Sequence, residues 1–406
     1  MRIGIYFDDL CFSDSRTGGS FTFQQCIFNA LKNLKDNKHE FYIFSTDKID
    51  FPKNSFLKFI YLKKIDYPIK DSFFKKVKRK FFKKKENIFN NKEDLNNAAF
   101  ENNIELMWFP TNSYKFVEIP FFYTVWDLQH RLQSYFPEVS VSGCKFEDRE
   151  KKYSYIIPRA SYIFIGNQAG KQEVVKFYNF PKERVKILPL PTPDFLFNYF
   201  ETKNDFINKL GIKRNYLFYP AQFWPHKNHI LILLAIKILK EKYGIDFDVV
   251  FTGSDKGNLN YIKEKVEELG LKEKVYFLGF VSIENLIELY RNAFALVFPS
   301  FFGPDNIPPL EAFALKCPVI AAKVSGAEYQ LGDAAILFDP KSENELVSAI
   351  KKLQDDVILR SIIIEKGFNK SKSWKAEDYV CEVLRLVDEF SEIRRCWSNK
   401  QKYIHL

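Results

Sequence analysis

The densest group of residues that could perform chemistry lies in the stretch FFGPDNIPPLEAF, residues 301–313. Proline is favoured at a helix start because its missing N–H is not needed there, so Pro309 predicts that a helix begins nearby, with Glu311 in its first turn. A carboxylate at this place could accept two hydrogen bonds from a ribose diol, and free N–H groups at a helix start attract anions. The alternative is a surface glutamate that only complements the helix dipole.

A second candidate is Lys227, in YPAQFWPHKNH (219–229), between a predicted strand and a predicted helix. An ammonium group at this point could stabilise a diphosphate leaving group, and Gln222 could add a hydrogen bond without a charge. His226 and His229 flank the lysine, but no carboxylate or cysteine stands at metal-ligand spacing beside them. The alternative is that Lys227 is one of many surface lysines.

The amino-terminal half offers two further candidates. Glycine lets the backbone approach a ligand closely, and Gly19 lies in a Gly-Gly pair between the first predicted strand and the first predicted helix. In YTVWDLQHRLQSYFPEVS (123–140), Asp127 or His130 could accept the proton of an acceptor hydroxyl. The alternative is that Asp127 caps a turn and that His130 is solvated.

Short apolar strands alternate with helical patterns along most of the chain. This alternation predicts an α/β protein with doubly wound, mostly parallel sheets. The proline-rich segment 185–200 has neither periodicity and is the predicted linker. We therefore expect a Rossmann-like domain over 1–195, a second one over 196–372, and a carboxyl-terminal helix in 373–406 that packs back on the first domain. Ligands of such sheets bind at the carboxyl ends of the strands, so the cleft between the domains is the expected site.

Composition limits the class of protein. The chain has 406 residues, 46% of them hydrophobic, and a formal net charge of +10, which favours anionic partners. Its six cysteines form no CxxC pair, which is typical of reduced thiols, and the start MRIGIYFDDL is not a signal peptide. No apolar run reaches the ~20 residues of a membrane span. We expect a cytoplasmic protein.

These motifs resemble the retaining glycosyltransferases of family 4, which have the GT-B fold of two Rossmann-like domains facing across a cleft. In FGPDNIPPLEAFALKCPVIA, Glu311 matches the second of two family glutamates, which binds the nucleotide ribose. Gly303 stands where the family has the first glutamate, eight positions earlier. Gln222 and Lys227 stand where the family has an Arg and Lys pair that holds the donor diphosphate.

The resemblance implies further roles. Asp305 and backbone N–H groups of 305–307 are expected to replace part of the missing glutamate, and Gly279 and Phe280 are expected nearest the base. The donor site implied by the resemblance is Gly19, Gln222, Lys227, Gly253, Gly279, Phe280, Gly303, Asp305, Asn306, Ile307 and Glu311, and the catalytic residues are Asp127, His130 and Lys227. No metal and no cofactor beyond the nucleotide-sugar donor is implied, and Asp246-Phe247-Asp248, which matches the DxD metal motif of another glycosyltransferase fold, is interpreted as structural.

The stretch KKVKRKFFKKK (75–85) has eight basic residues and no acidic one. With the phenylalanines of 73–82 it could form a helix on an anionic membrane surface, which would make the enzyme peripheral on the inner face of the plasma membrane. Alternatively, the phenylalanines pack on the first domain. No nucleic-acid-binding module accompanies the charge, so nucleic acid is not an expected partner.

The expected function is retaining transfer of a sugar from a nucleotide-diphosphate sugar to a hydroxyl of a glycan acceptor. The resemblance implies a polyprenyl-diphosphate-linked acceptor and a role in bacterial surface polysaccharide assembly. Two alternatives remain open. One is a non-catalytic protein that binds sugar nucleotides or glycans, and the other is a sugar-nucleotide epimerase on the same fold.

Overall fold

The computed structural model describes residues 1–8, 18–34, 38–46, 57–62, 94–140, 146–197, 206–212, 215–303 and 305–398. The basic segment 73–85 therefore lies outside the described residues. The described chain forms two parallel β-sheets with helices packed against them, so the predicted α/β, doubly wound GT-B architecture is confirmed.

The first sheet has seven described strands in the order β3-β2-β1-β4-β5-β6-β7. The strands are β1 (Arg2–Tyr6), β2 (Glu40–Ser45), β3 (Leu57–Tyr61), β4 (Leu106–Phe109), β5 (Phe121–Thr124), β6 (Tyr162–Ile165) and β7 (Val185–Ile187). All neighbouring pairs are parallel. β4, β5 and β6 are buried at every position, as continuous apolar runs require when helices cover both faces.

The second sheet has six described strands in the order β10-β9-β8-β11-β12-β13, also all parallel. The strands are β8 (Tyr216–Pro220), β9 (Asp248–Thr252), β10 (Val275–Phe277), β11 (Ala295–Phe298), β12 (Val319–Ala322) and β13 (Ala335–Phe338). In each sheet the strand order reverses beside the first strand of the domain. Ligands of doubly wound sheets bind at such a switch point, outside the carboxyl ends of the strands.

The helices fill the connections. The described helices are α1 (Gly19–Lys32), α2 (Asp94–Glu101), α3 (Gln129–Leu132), α4 (Pro137–Ser140), α5 (Phe146–Ile156), α6 (Gln168–Tyr178), α7 (Phe206–Leu210), α8 (His229–Tyr243), α9 (Leu259–Glu268), α10 (Ile283–Asn292), α11 (Ile307–Ala314), α12 (Ala327–Leu331), α13 (Glu343–Asp355), α14 (Val357–Lys372) and α15 (Ala376–Arg394). Short 3-10 turns join several of them, including Pro225–Lys227 before α8. None of the described helices combines the length and hydrophobicity needed to cross a bilayer.

The last helix returns to the first domain. α15 packs against α1, and its apolar side joins the core that covers one face of the first sheet. The crossing is fixed where Trp374 Nε1 donates to the carbonyl of Pro189 at 2.9 Å.

The predicted linker 185–200 begins too early. Residues Val185–Ile187 form β7, because their backbone hydrogen-bonds to β6 and completes the first sheet. The chain therefore leaves the first sheet only after Ile187, and the proline-rich segment that follows connects the two sheets.

Candidate functional site

The two domains meet along the carboxyl ends of their strands. Gln133, after β5, donates through Nε2 to the carbonyl of Phe301, after β11, at 3.0 Å. Ser325 of the second domain donates to Glu173 Oε1 of α6 at 3.3 Å. The predicted site residues of both halves stand in or beside these loops, so the folded chain brings both halves of the predicted site to one cleft.

Lys227 ends the 3-10 turn between β8 and α8. Asn228 adopts a left-handed conformation with φ 56°, which allows α8 to start directly after the turn, and Tyr219 donates through its hydroxyl to the carbonyl of Lys227 at 2.9 Å. The Nζ atom lies 5.2 Å from the centroid of the Phe298 ring. Burial lowers the pKa of Lys227 to about 8, although the negative charges of Asp127 and Glu138 oppose this shift.

No described carboxylate lies within ion-pair distance of Lys227 Nζ. A half-buried ammonium without a close counter-ion gains free energy when an anion binds, because the anion replaces lost hydration. Lys227 therefore lies on the second domain's side of the cleft in surroundings that favour an anion, and its binding of a diphosphate stays a prediction.

Glu311 is 7% exposed, so the alternative of a surface glutamate is wrong. Tyr290 donates through its hydroxyl to Glu311 Oε2 at 2.7 Å, and no described residue donates to Oε1. Burial raises the pKa of Glu311 to about 7, against the lowering effect of the Tyr290 hydrogen bond. A buried carboxylate with one oxygen available suits a ligand that donates hydrogen bonds, such as a ribose diol.

The helix that carries Glu311 begins earlier than predicted. α11 starts at Ile307, so Glu311 lies in the second turn instead of the first. Pro308 and Pro309 occupy early positions and have no N–H to offer a ligand. The expected anion site made of N–H groups at this helix start is therefore reduced, which leaves side chains as the main ligands.

The loop before α11 is held by its own neighbours. The N–H of Asn306 donates to Gln330 Oε1 at 3.0 Å, and Gln330 Nε2 donates to the carbonyl of Asn306 at 2.7 Å. The expectation that the N–H of residue 306 contacts the donor is wrong for this arrangement, because a side chain already occupies it. Ile307 lies beside Gly19, where an added Cβ would be 3.4 Å from Ile307 Cδ1. Gly19, at the start of α1, thus lies against the second domain, and its contact with a donor stays a prediction.

Gly303 is required by the local geometry. Its φ of 105° is unfavourable for other residues, and a Cβ there would lie 2.6 Å from the side-chain amide of Asn306. Asn306 Nδ2 also donates to the carbonyl of Gly303 at 2.9 Å. The loop therefore cannot hold the family's first glutamate in this conformation.

Asp305 does not replace that glutamate as a donor ligand in this arrangement. Its Oδ1 accepts a hydrogen bond from Asn167 Nδ2 at 3.1 Å, and a Cβ on Gly166 would lie 1.2 Å from Oδ2. Burial raises the pKa of Asp305 to about 6, despite the hydrogen bond from Asn167. Asp305 thus joins the second domain to the end of β6.

Asp127 follows β5 and faces Arg149, whose guanidinium lies 2.7 Å from Oδ1. The same oxygen accepts a hydrogen bond from the N–H of Gln129 at 3.0 Å. Burial would raise the pKa of Asp127, but Arg149 and this hydrogen bond hold it below its usual range. The carboxylate is therefore ionised and a weak proton acceptor, and it acts on the cleft through its negative charge.

His130 does not line the cleft. The side chain is fully buried, and Nε2 lies 2.6 Å from Glu150 Oε1. Burial and the nearby Arg149 lower its pKa, against the effect of Glu150. The expectation of a catalytic His130 is wrong for this arrangement, because the ring supports α3 and α5 and presents no surface to a ligand.

The remaining predicted donor residues surround the ends of β8, β9 and β10. Gln222 Oε1 accepts a hydrogen bond from Trp224 Nε1 at 3.0 Å, so this oxygen already has a partner within the second domain. Gly253 donates to the carbonyl of Gly279 at 2.7 Å, and a Cβ on Gly253 would lie 2.4 Å from the carbonyl oxygen of Ala221. Phe280 is 55% exposed, as a platform for a flat ligand would be.

Two acidic residues in this region were not among the predicted site residues. Glu138 contacts His226, and Glu173 is 9% exposed with a pKa raised to about 7 by burial. The FPE run in 136–138 was the only signal in the sequence for Glu138. Nothing in the periodicity of α6 distinguishes Glu173 from a surface residue.

The Asp246-Phe247-Asp248 string lies at the opposite end of β9 from the cleft. Asp248 is fully buried at the first position of the strand, and Asp246 pairs with Lys274. Within the described ranges, no group of three His, Cys, Asp or Glu residues is arranged to hold a metal ion.

Curated relatives share sequence with part of the chain. The chain is 29% identical over 229 residues to the O-antigen chain mannosyltransferase RfbU of Salmonella typhimurium, a match that covers 54% of this chain and 61% of that protein. It is 25% identical over 271 residues to the O-antigen chain mannosyltransferase B of Escherichia coli, covering 63% and 71% of the two proteins.

A solved structure shares the whole architecture. Anabaena Alr3699/HepE, crystallised in complex with UDP-glucose, superposes with a TM-score of 0.67 at 15% identity, covering 96% of this chain and 100% of that one. Residues 201–370 match the family model "Glycosyl transferases group 1", and they contain both Lys227 and Glu311. Residues 201–370 of this chain are therefore similar to the glycosyl transferases group 1 family.

Proposed function

We propose that this chain is a glycosyltransferase that moves a sugar from a nucleotide-diphosphate sugar to a hydroxyl group of a glycan acceptor. The observation that carries the proposal is the pair of unusual ionisable groups in the second domain. Lys227 is a half-buried cation without a close counter-ion, and Glu311 is a buried carboxylate with one oxygen available. These are the two groups needed to bind a diphosphate and a ribose.

In the proposed reaction, the ammonium of Lys227 stabilises the charge that develops on the departing diphosphate. Glu311 holds the ribose, and Phe280 offers an apolar surface beside the base. The acceptor hydroxyl attacks from the face that the diphosphate leaves, so the configuration of the sugar is retained. The new bond joins the acceptor oxygen to the anomeric carbon, the bond to the diphosphate breaks, and the hydroxyl proton passes to a diphosphate oxygen.

Asp127 does not need to remove the proton in this scheme. Its pairing with Arg149 makes it a weak base, but its charge lies close enough to affect Lys227. We propose that Lys227 takes the charge-neutralising part in place of a divalent metal, and that no cofactor beyond the donor is used.

The names of the relatives guide the choice of substrates. Two are O-antigen chain mannosyltransferases, which supports mannose as the first sugar to test and a lipid-linked glycan as the acceptor class. We propose a cytoplasmic reaction at the inner face of the membrane, where the basic segment 73–85 would meet anionic lipid.

One observation favours a non-catalytic sugar-nucleotide-binding protein as the second candidate. Gln222 has no charge and is engaged by Trp224, and Gly303 replaces a carboxylate, so two charged groups of the family's donor site are absent. Such a protein would bind donors without forming a product.

Product analysis by mass spectrometry separates these candidates. The full chain is incubated with UDP-, GDP- and dTDP-hexoses and with polyprenyl-diphosphate-linked acceptor sugars. The proposal expects an acceptor heavier by one hexose, formed by the wild type and by Lys240→Met, whose exposed lysine is a matched control. Lys227→Met and Glu311→Gln should form little product while remaining folded.

Donor binding without product in every mixture would favour the non-catalytic candidate. Release of an epimerised sugar nucleotide without any acceptor would favour the epimerase. Unaltered product formation by both site variants would contradict the assigned site.

A further inference from the structure

A buried contact between a carboxylate and a histidine joins the two domains directly beside Lys227. Glu138 of α4 and His226 of the 3-10 turn are 8% and 9% exposed. Glu138 Oε1 accepts a hydrogen bond from the backbone N–H of His226 at 3.1 Å and also contacts His226 Nδ1. A single carboxylate oxygen of the first domain thus holds both the backbone and the side chain of the residue that precedes Lys227.

The segment around Glu138 is anchored in the second domain. The ring of Phe136 lies between Phe301 and Phe302, with centroid distances of 5.6 Å and 5.2 Å. Gln133 also donates to the carbonyl of Phe301. All of these contacts cross from the first domain to the second, so Glu138 reaches His226 because the two domains pack against each other at this point.

His226 transmits this contact to the turn. Its carbonyl accepts a hydrogen bond from the N–H of Phe301 at 2.9 Å, and its ring stacks on Phe302 with a centroid distance of 4.1 Å. Because His226 is fixed at its N–H, its carbonyl and its ring, little freedom remains for the next residue. Glu138 is therefore one of three residues, with Phe301 and Phe302, that hold His226, the residue before Lys227.

The charges support the same arrangement. Burial lowers the pKa of His226 to about 4, so the ring is neutral at pH 7 and its Nδ1–H donates to Glu138. Burial would raise the pKa of Glu138, but the hydrogen bonds from His226 keep it below its usual range, so the carboxylate is ionised.

The groups that face Lys227 are Asp127 and Glu138 across the cleft and His226 and His229 on its own domain, and both histidines are neutral at pH 7. The ionised Glu138 therefore favours the protonated form of Lys227. It does so without forming an ion pair that would occupy the ammonium, since no such pair exists among the described residues.

We infer that Glu138 is a positioning residue of the first domain that fixes the turn carrying Lys227 and places a negative charge beside that turn. The inference rests on the proposed function for its biological meaning, because it assigns the first domain a part in completing the diphosphate site of the second. The anion site of the second domain would then be complete only while the first domain packs against it.

The first test needs no ligand. In protein labelled with ¹³C at the lysine ε-carbons, the Lys227 signal is assigned by its loss in Lys227→Arg, and its titration midpoint is measured. Glu138→Gln keeps the size and removes the charge. It should lower the midpoint from about 8, because the negative charges of Asp127 and Glu138 both favour the ammonium and only that of Asp127 would remain. Glu147→Gln, an exposed carboxylate of the same domain, should leave the midpoint unchanged.

A conservative variant separates charge from a general loss of structure. Glu138→Asp keeps the charge and should keep the wild-type midpoint. An unchanged midpoint in Glu138→Gln, or an equal shift in Glu147→Gln, would overturn the inference. If Glu138→Gln does not fold, the same comparison is made with His226→Gln. This variant removes the contact between the histidine ring and Glu138 and should lower the Lys227 midpoint.

Calorimetric titration with UDP and GDP then tests the link to function. The affinity should weaken as the pH rises through the Lys227 midpoint, and this weakening should begin at a lower pH in Glu138→Gln than in the wild type. A shifted midpoint together with no UDP or GDP binding by the wild type would support the role of Glu138 toward Lys227 and contradict the proposed function. Binding with an identical pH dependence in both proteins would contradict the role of Glu138 alone.

Discussion

Replacement of Lys227 by methionine should make the protein more stable and its site weaker. The pKa of Lys227 is about 8 in the folded chain, against an ordinary value of 10.5. Because the folded pKa is the lower one, the ammonium destabilises the folded state below pH 8, and this penalty disappears as the pH rises from about 8 to about 10.5.

The size of the effect follows from the shift. A difference of about 2.5 pH units corresponds to about 3 kcal/mol at pH 7, from which about 1 kcal/mol is subtracted for the lost contact with the Phe298 ring. Lys227→Met should therefore raise the free energy of unfolding at pH 7 by about 2 kcal/mol. Loss of a charged hydrogen bond to a diphosphate costs about 1.5–3 kcal/mol, so affinity for UDP or GDP should fall roughly 10- to 150-fold.

Both quantities can be measured on one pair of proteins. Urea denaturation at pH 7 and pH 9.5 gives the unfolding free energies, and calorimetry over pH 7.5–9.5 gives the nucleotide affinities. The wild type should lose affinity above pH 8, where roughly half of Lys227 is neutral, while Lys227→Met should show no such dependence. Lys240→Met, at an exposed position, is the control.

Two results would refute this reasoning. One is a Lys227→Met variant that binds nucleoside diphosphates as tightly as the wild type. The other is a wild-type affinity that stays constant between pH 7.5 and pH 9.5, because it would mean that the ammonium is not the anion ligand or that its pKa is not lowered.

Three further predictions concern other residues. Burial raises the pKa of Glu311 to about 7, so its carboxylate forms as the pH rises through that value. The preference for UDP over 2′-deoxy-UDP should therefore grow between pH 6 and pH 8 and vanish in Glu311→Gln. A preference that survives in the variant would contradict the ribose assignment. Gly303→Ala should lower the free energy of unfolding by about 1–2 kcal/mol, owing to its positive φ and the close Asn306 amide, and urea denaturation measures this change. An unchanged free energy would contradict the strain inferred at this position. His130→Gln should lower the free energy of unfolding, because the contact with Glu150 is lost, and the folded variant should keep the wild-type turnover. A large fall in turnover without loss of stability would indicate a catalytic role for His130.

The sequence predicted the fold well because the evidence for it is local. Runs such as LMWF and FFYT, the strands β4 and β5, are buried on both faces, and apolar runs separated by helical patterns already indicate parallel sheets. The start of the linker was placed too early because the three residues Val185–Ile187 carry no pattern that distinguishes an edge strand from an extended connection.

The candidate site was predicted only in part. Lys227 and Glu311 were found because each lies in a distinctive segment, whereas the start of α11 was misplaced since two adjacent prolines fit more than one early helix position. His130 was misassigned because nothing local reveals its pairing with Glu150.

The contacts between the domains could not be predicted from local patterns. Glu138 and His226 are separated by 88 residues, and Asn167 and Asp305 by 138 residues. Only the closed arrangement of the two domains brings these residues together, and single-sequence periodicity contains no information about that arrangement.

A crystal structure of the chain with UDP or GDP would show whether Lys227 and Glu311 bind the same nucleotide. A diphosphate oxygen should lie about 2.8 Å from Lys227 Nζ and a ribose hydroxyl at hydrogen-bond distance from Glu311 Oε1, with the nucleotide between the two sheets. A nucleotide bound elsewhere, or one in the cleft that contacts neither group, would contradict this assignment.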